Sequence, residues 1–283
     1  MFRRLSNSWE LVKASAAVLR SDKELVVFPI VSAIGVLIVS ATFAIPIFLA
    51  GLFDQMYVDG GGFQPLGMAV AFLFYLVQYF VIFFANTALV GAAMIRLDGG
   101  DPTVGDGFRI AMRRAGPILG YALISATVGM VLRAIAERAG ILGRIVISLI
   151  GLAWNLATYL VVPVLAAENV GPVDAIKRST ELLKRTWGEQ IVGNAGIGVV
   201  FGLITVAVFL VGVPLIVLAA MAQSLALLAV AIVLVVLAML VLGVVSSALS
   251  GIYTAVVYRY AATGEVGGSF SPELVRNAFR AKA

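Results

Sequence analysis

A chain of 283 residues that is 61% hydrophobic and 12% charged, with a mean hydropathy of +1.07, lacks the charge to cover a soluble surface. Soluble domains use roughly a quarter charged residues, so lipid must cover the rest. The formal charge is +5, and cysteine and histidine are both absent, which excludes disulfides, thiol nucleophiles, the usual zinc sites, haem ligation and Ser-His pairs.

Segment 1–24 carries Arg3, Arg4, Lys13, Arg20 and Lys23 but no apolar run before Leu25. It does not read as a cleaved signal peptide, so the first span is expected to be its own insertion signal. Phe2, Leu5, Trp9, Val12, Ala16 and Leu19 recur at steps of three and four, which predicts an amphipathic helix. Six apolar runs then follow, at 25–52, 66–95, 117–136, 145–167, 191–220 and 225–260, each long enough to span a bilayer at about 20 residues. The fold class is therefore all-α, a polytopic membrane helical bundle of about six spans in a single domain. Pro29, Pro46, Pro163 and Pro214 lie inside the runs and are expected kink points.

Between spans, segments 101–115 and 169–190 are amphipathic, and 261–283 is expected to close the chain as a tail helix. In the first, Val104, Phe108, Ala111 and Ala115 align, with Arg109, Arg113 and Arg114 beside them. In the second, Val173, Ile176, Thr180, Leu183 and Trp187 form a stripe. Lys177, Arg178, Lys184 and Arg185 lie off that stripe, and Asp174–Arg178 and Glu181–Arg185 are at i,i+4 pairing distance. Proline opens three such segments, at Asp101–Pro102, Gly171–Pro172 and Ser271–Pro272, where its missing N–H costs nothing; Asp101 and Ser271 suit the N-cap. The chain thus reads as three units, each an amphipathic helix leading into a helical hairpin.

Lys and Arg crowd these segments, whereas "DQMYVDGGGFQP" and "MAQS" contain none and the remaining connection has Arg133, Arg138 and Arg144. Basic residues favour the cytoplasmic side. Both termini are therefore expected in the cytoplasm, and the amphipathic helices beneath the cytoplasmic face of the inner membrane. Trp9 and Trp187 would sit at the interface, and Arg109, Arg113, Arg114, Lys177, Arg178, Lys184 and Arg185 would face anionic headgroups.

The blocks "SNSWELVKASAAVLRSDKELVVFPIVS", "FFANTALVGAAMIRLDGGDPTVGDGFRIAMRR", "GMVLRAIAERAGILGRIV" and "YLVVPVLAAENVGPVDAIKRSTELLKRTWGE" are similar to the signature stretches of a family of prokaryotic integral membrane proteins known by a domain of unknown function. They cover nearly the whole chain, in that family's order. The resemblance implies a six-span fold and carries no activity with it.

Within the spans, Gln78, Asn86, Asn155 and Asn194 are candidates for an intramembrane polar site. No acidic group or histidine stands where a proton relay needs one. Gly243, Ser247 and Gly251 repeat every four residues and suit close helix contact within one chain or in a homo-oligomer. Arg133 and Glu137 are spaced to pair on one helical face, and Glu168 is placed to meet Arg178, Arg114 or Arg96. The Gly-rich "GEVGGSFS" lacks the lysine and flanking strand of a phosphate loop. No cofactor, metal, nucleic acid or enzymatic activity is expected. Two functions remain: a membrane-organising or lipid-contacting protein working through its basic cytoplasmic helices, or a channel or transporter for a small solute.

Overall fold

The computed structural model describes residues 2–51, 56–58, 62–187, 196–265, 267 and 270, with backbone alone at 2–8, 11, 57–58, 62–63, 185–187 and 196–199. Asn194, the Arg185 and Trp187 side chains, Ser271–Pro272 and most of the expected tail helix lie outside what is described.

The chain is an all-α bundle. Helix α1 (Phe2–Ser21) precedes a short 3-10 turn (Lys23–Val26), α2 (Val27–Leu49), a small hairpin of β1 (Tyr57–Val58) and β2 (Gly62–Phe63), and α3 (Pro65–Leu97). Then come α4 (Val104–Arg113), α5 (Ala115–Arg138), α6 (Ile141–Ala157) and α7 (Val161–Ala167). The last three helices are α8 (Pro172–Trp187), α9 (Gly196–Met221) and α10 (Leu225–Thr263). Among the described residues six stretches are long and apolar enough to cross a membrane: Lys23–Leu49, Pro65–Leu97, Ala115–Arg138, Ile141–Ala167, Val200–Met221 and Leu225–Thr263. With connections alternating from end to end, α1, α4 and α8 all fall at one end, hereafter the collar end.

The buried core sits at the collar end rather than midway along the spans. It joins Val12 and Val18 of α1, Leu25 and Phe28, Ala88–Ala93 of α3, Ala111 of α4, Ile118 of α5, Leu160–Leu165, Leu182 of α8 and Ile252–Tyr258 of α10. Elsewhere the helices are apolar and open: α6 buries no residue, and Leu210, Val211, Leu225 and Val241 are exposed. The physical reason is the change of solvent. Lipid covers a leucine as well as another helix does, so spans gain little by burying apolar surface against each other. At the collar end water would reach that surface, and the hydrophobic effect gathers it. At about 1.5 Å per residue, α10 measures ~58 Å against roughly 30 Å of hydrocarbon; its excess length enters this core.

The prolines act differently from one another. Pro29 is the third residue of α2, inside its first turn, where its missing N–H breaks no hydrogen bond within that helix. Pro46 and Pro214 lie within helices. Pro163 divides the fourth span: α6 ends at Ala157 and α7 begins at Val161. Pro163 has no N–H for the Tyr159 carbonyl four residues back, and its ring crowds that carbonyl. The chain answers with turns of tighter pitch, Tyr159 N–H to Leu156 O (3.2 Å) and Val161 N–H to Thr158 O (3.1 Å).

Candidate functional site

The collar end is built from short elements locked to span ends. In α4 the cap is not Asp101 but Thr103, whose hydroxyl accepts from the Asp106 N–H while Asp106 accepts from Thr103 N–H. This reciprocal box satisfies two donors, and the helix therefore starts after Pro102. The Val104 N–H is taken by the Glu24 carboxylate at 2.8 Å, which ties α4 to the 3-10 turn. Gly107 lets α4 approach closely: a Cβ there would stand 2.4 Å from the Phe28 ring and 2.7 Å from the Ala88 carbonyl. Hydrogen bonds from Thr103, and the nearby Arg109 guanidinium (2.9 Å), hold the Asp106 carboxyl below the usual carboxylate range.

Helix α8 opens at Pro172, as its sequence suggests, and the Pro172 ring packs on Gly120. Its buried face keeps Leu183 and the half-buried Ile176 of the expected stripe but loses Val173 and takes in smaller residues beside it. Val173 is 53% exposed, and Ala175, Ser179, Leu182 and Leu183 are buried. Small residues let α8 pack deep against α7, so the buried line rotates towards Ala175 and Ser179. That placement repairs the broken span: the Leu160 N–H, without an acceptor in its own helix, donates to Ser179 Oγ at 3.0 Å, and Thr180 Oγ1 reaches the Ala157 carbonyl at 3.5 Å. Helix α1 shows a similar shift, with Val12, Ala14, Ser15 and Val18 buried and Trp9 49% exposed.

The charges pair more within the chain than the sequence implies. Of the three partners open to Glu168, Arg178 takes it at 3.1 Å, and the Tyr258 hydroxyl donates to the same oxygen at 3.0 Å. The Glu168 bond raises the Arg178 pKa further above its ordinary value. Asp174 pairs with Lys177 (3.2 Å) rather than Arg178, whose other partner is Glu181 (3.8 Å). Arg114 bonds Asn169, Arg259 pairs with Asp98, and Arg96 donates to Ser21 Oγ (3.3 Å) and the Gly100 carbonyl (3.2 Å). Beside Ser21, Asp22 caps the 3-10 turn through the Glu24 N–H. Burial raises its carboxyl pKa, and one of its oxygens has no partner among the described residues. Arg20, Lys23, Arg113 and Lys184 are exposed, with no ion pair among the described residues.

Of the residues expected to form an intramembrane polar site, Asn194 lies outside the described residues, and Gln78, Asn86 and Asn155 share no hydrogen bond among them. Gln78 is spent on α2, donating to Ser40 Oγ (2.8 Å) and the Val36 carbonyl (3.4 Å). Asn86 is half-buried eight residues along α3, and Asn155 is exposed on α6, away from the core. What gathers instead lies at the span break, where Tyr121 faces Thr158 and Ser125, and Tyr159 faces Thr254. The pattern of Thr and Tyr before Pro163 was the available signal. The small-residue stripe is divided as well. Gly251 packs on Leu89 of α3 in the same chain, while nothing approaches Gly243 within 4 Å, and Ser247 is half-buried. Arg133 and Glu137 do pair, at 2.9 Å. Among the described residues no cluster of acidic side chains could hold a metal ion.

Residues 65–268 match the model of a family of unknown function, DUF6159. No curated protein and no solved structure matches the chain.

Proposed function

We propose a function for this chain, which belongs to the DUF6159 family of unknown function, from its own geometry: a non-enzymatic, lipid-contacting protein of the inner membrane. Its working surface is the collar, turned to the cytoplasm together with both termini; the crowding of Lys and Arg into the collar-end segments supports that orientation. The observation that carries the reading is the pairing pattern. Among the described residues Lys13, Arg96, Arg109, Lys177, Arg178 and Arg259 form ion pairs within the chain, whereas Arg20, Lys23, Arg113 and Lys184 stay exposed and unpaired, on elements held against the span ends. Such cations near an anionic leaflet gain about 1 kcal/mol each. A rigid mount holds them at one depth without the entropy cost of ordering a loose segment. A contact between copies of the chain would run through Gly243, the open member of its stripe.

The test uses a variant whose single Trp is Trp9, in vesicles carrying brominated lipids. Brominated phosphatidylglycerol should quench Trp9 more than brominated phosphatidylcholine at equal mole fraction. Replacing the four free cations with Gln should abolish the preference. Equal quenching by both lipids in the parent variant would sink the reading.

One observation favours the second reading, a channel or transporter. Interrupted spans line solute sites in many transporters, and the fourth span is interrupted at Thr158 and Tyr159, beside Tyr121 of α5. Solute flux into proteoliposomes, abolished by filling that break, would support it.

A further inference from the structure

At the end opposite the collar, α3 and α5 border a cleft of about 130 Å³ lined by Tyr75, Tyr79, Ala126, Gly129, Met130 and Arg133. Arg133 lies 18 residues beyond Ala115 along α5, or ~27 Å at about 1.5 Å per residue. With roughly 30 Å of hydrocarbon to cross, and with α5 ending five residues further on at Arg138, the long Arg133 side chain can reach the far headgroup layer. We propose that this cleft binds a zwitterionic phospholipid of the phosphoethanolamine class, with the phosphate on Arg133 and Tyr75, the ammonium on Glu137, and the glycerol and upper acyl chain between Tyr79 and Met130.

The geometry supplies each contact. Arg133 Nε donates to Glu137 at 2.9 Å and Nη1 to the Tyr75 hydroxyl at 3.1 Å. These two bonds hold the guanidinium plane in place and leave Nη2 without a partner among the described residues. Tyr75 accepts from Arg133, so its own proton remains to be donated. Two donors thus meet at the mouth of the cleft, and Arg with a fixed plane suits a phosphate. The Arg133 and Glu137 side chains are 56% and 54% exposed. A positive and a negative group therefore stand side by side at the surface, the same arrangement that a phosphate and an adjacent ammonium present. A glycerol headgroup answers only the Arg133 half. The wall is preset by ring contacts: Tyr79 stacks on Phe83 at 5.6 Å and on Tyr75 at 6.3 Å. The floor is open because Gly129 carries no side chain; a Cβ there would meet only the Tyr79 hydroxyl, at 3.7 Å. The site is at the opposite end from the collar and stands whether or not the collar contacts anionic lipid.

The test places trace phosphatidylethanolamine or phosphatidylglycerol, each with a diazirine in its acyl chain, in vesicles of phosphate-free galactolipid holding the full chain. Adducts are mapped by mass spectrometry after illumination. The phosphatidylethanolamine probe should label the segments around Tyr79 and Met130 at least fivefold more than the phosphatidylglycerol probe. R133Q should lose cleft labelling by both. E137Q should keep phosphatidylglycerol labelling and lose the preference, which a merely structural ion pair would not do. G129L, which fills the floor and keeps the charges, should reduce both. Labelling no higher than on the lipid-facing Ile45 and Phe48, equal labelling by the two probes, or E137Q behaving like R133Q would overturn the proposal.

Discussion

At the scale of single residues, two buried groups at the collar end invite measurement. Ser179 is fully buried and accepts the Leu160 N–H at the break in the fourth span. In Ser179→Ala that donor is buried without a partner, a cost of about 1–3 kcal/mol. Thermal unfolding in detergent should show a clear fall in Tm. Ser148→Ala, which removes a hydroxyl bonded to the carbonyl one turn back on an exposed face, should leave Tm nearly unchanged. Asp22 gives the pH dependence. Its carboxyl is buried and its pKa is raised above the ordinary value, so the ionised form is the less favoured one in the folded state. The stability linked to its proton is fully present below the unfolded pKa, about 4, and is lost as pH rises through the folded value. Asp22→Asn keeps the cap acceptor and removes the charge. It should raise Tm at pH 7, and the gain should shrink as pH falls towards 4. A constant gap across that range would mean that Asp22 does not titrate as its burial implies.

At the scale of elements, the collar helices dock through small residues that permit backbone approach, and large apolar side chains fill in around them. Gly107 is the tightest case, with both a ring and a carbonyl in the space a Cβ needs. Gly107→Ala should destabilise by about 1–3 kcal/mol through overpacking. Gly105→Ala, two residues away with only the Thr103 hydroxyl at 3.6 Å, should be tolerated or slightly stabilising because alanine favours helix. Similar Tm values for the two variants in detergent would show that α4 is not seated as described. The same principle explains why α8 turned its Ala175–Ser179 line inward: helical spacing marks which residues share a face, but the depth of packing selects the face by size.

At the scale of the whole molecule, the bundle has a packed collar end and an open, lipid-facing remainder. The proposed orientation can be tested directly, because the chain has no cysteine of its own. A cysteine at Ser224, in the turn between α9 and α10, should react with an impermeant thiol reagent added to sealed cells. One at Gly105, exposed on α4, should react only after the membrane is opened. Reaction at Gly105 in intact cells would reverse the topology and move the collar to the outer face.

The sequence by itself determined the all-α membrane class, the six apolar stretches, the amphipathic character of α1, α4 and α8, and the Arg133–Glu137 pair. Each of these depends on composition or on residues within one or two helical turns, where spacing alone dictates geometry. The tertiary structure decided what depends on neighbours distant in the chain. It chose Arg178 and Tyr258 as partners of Glu168, spent Gln78 on α2 while Asn155 stands exposed on α6, and set Ser179 against the Leu160 amide at the break in the fourth span. It also placed the core at the collar end. Apolar runs look alike in sequence along their whole length, but only where they leave the lipid does burying them against one another lower the free energy.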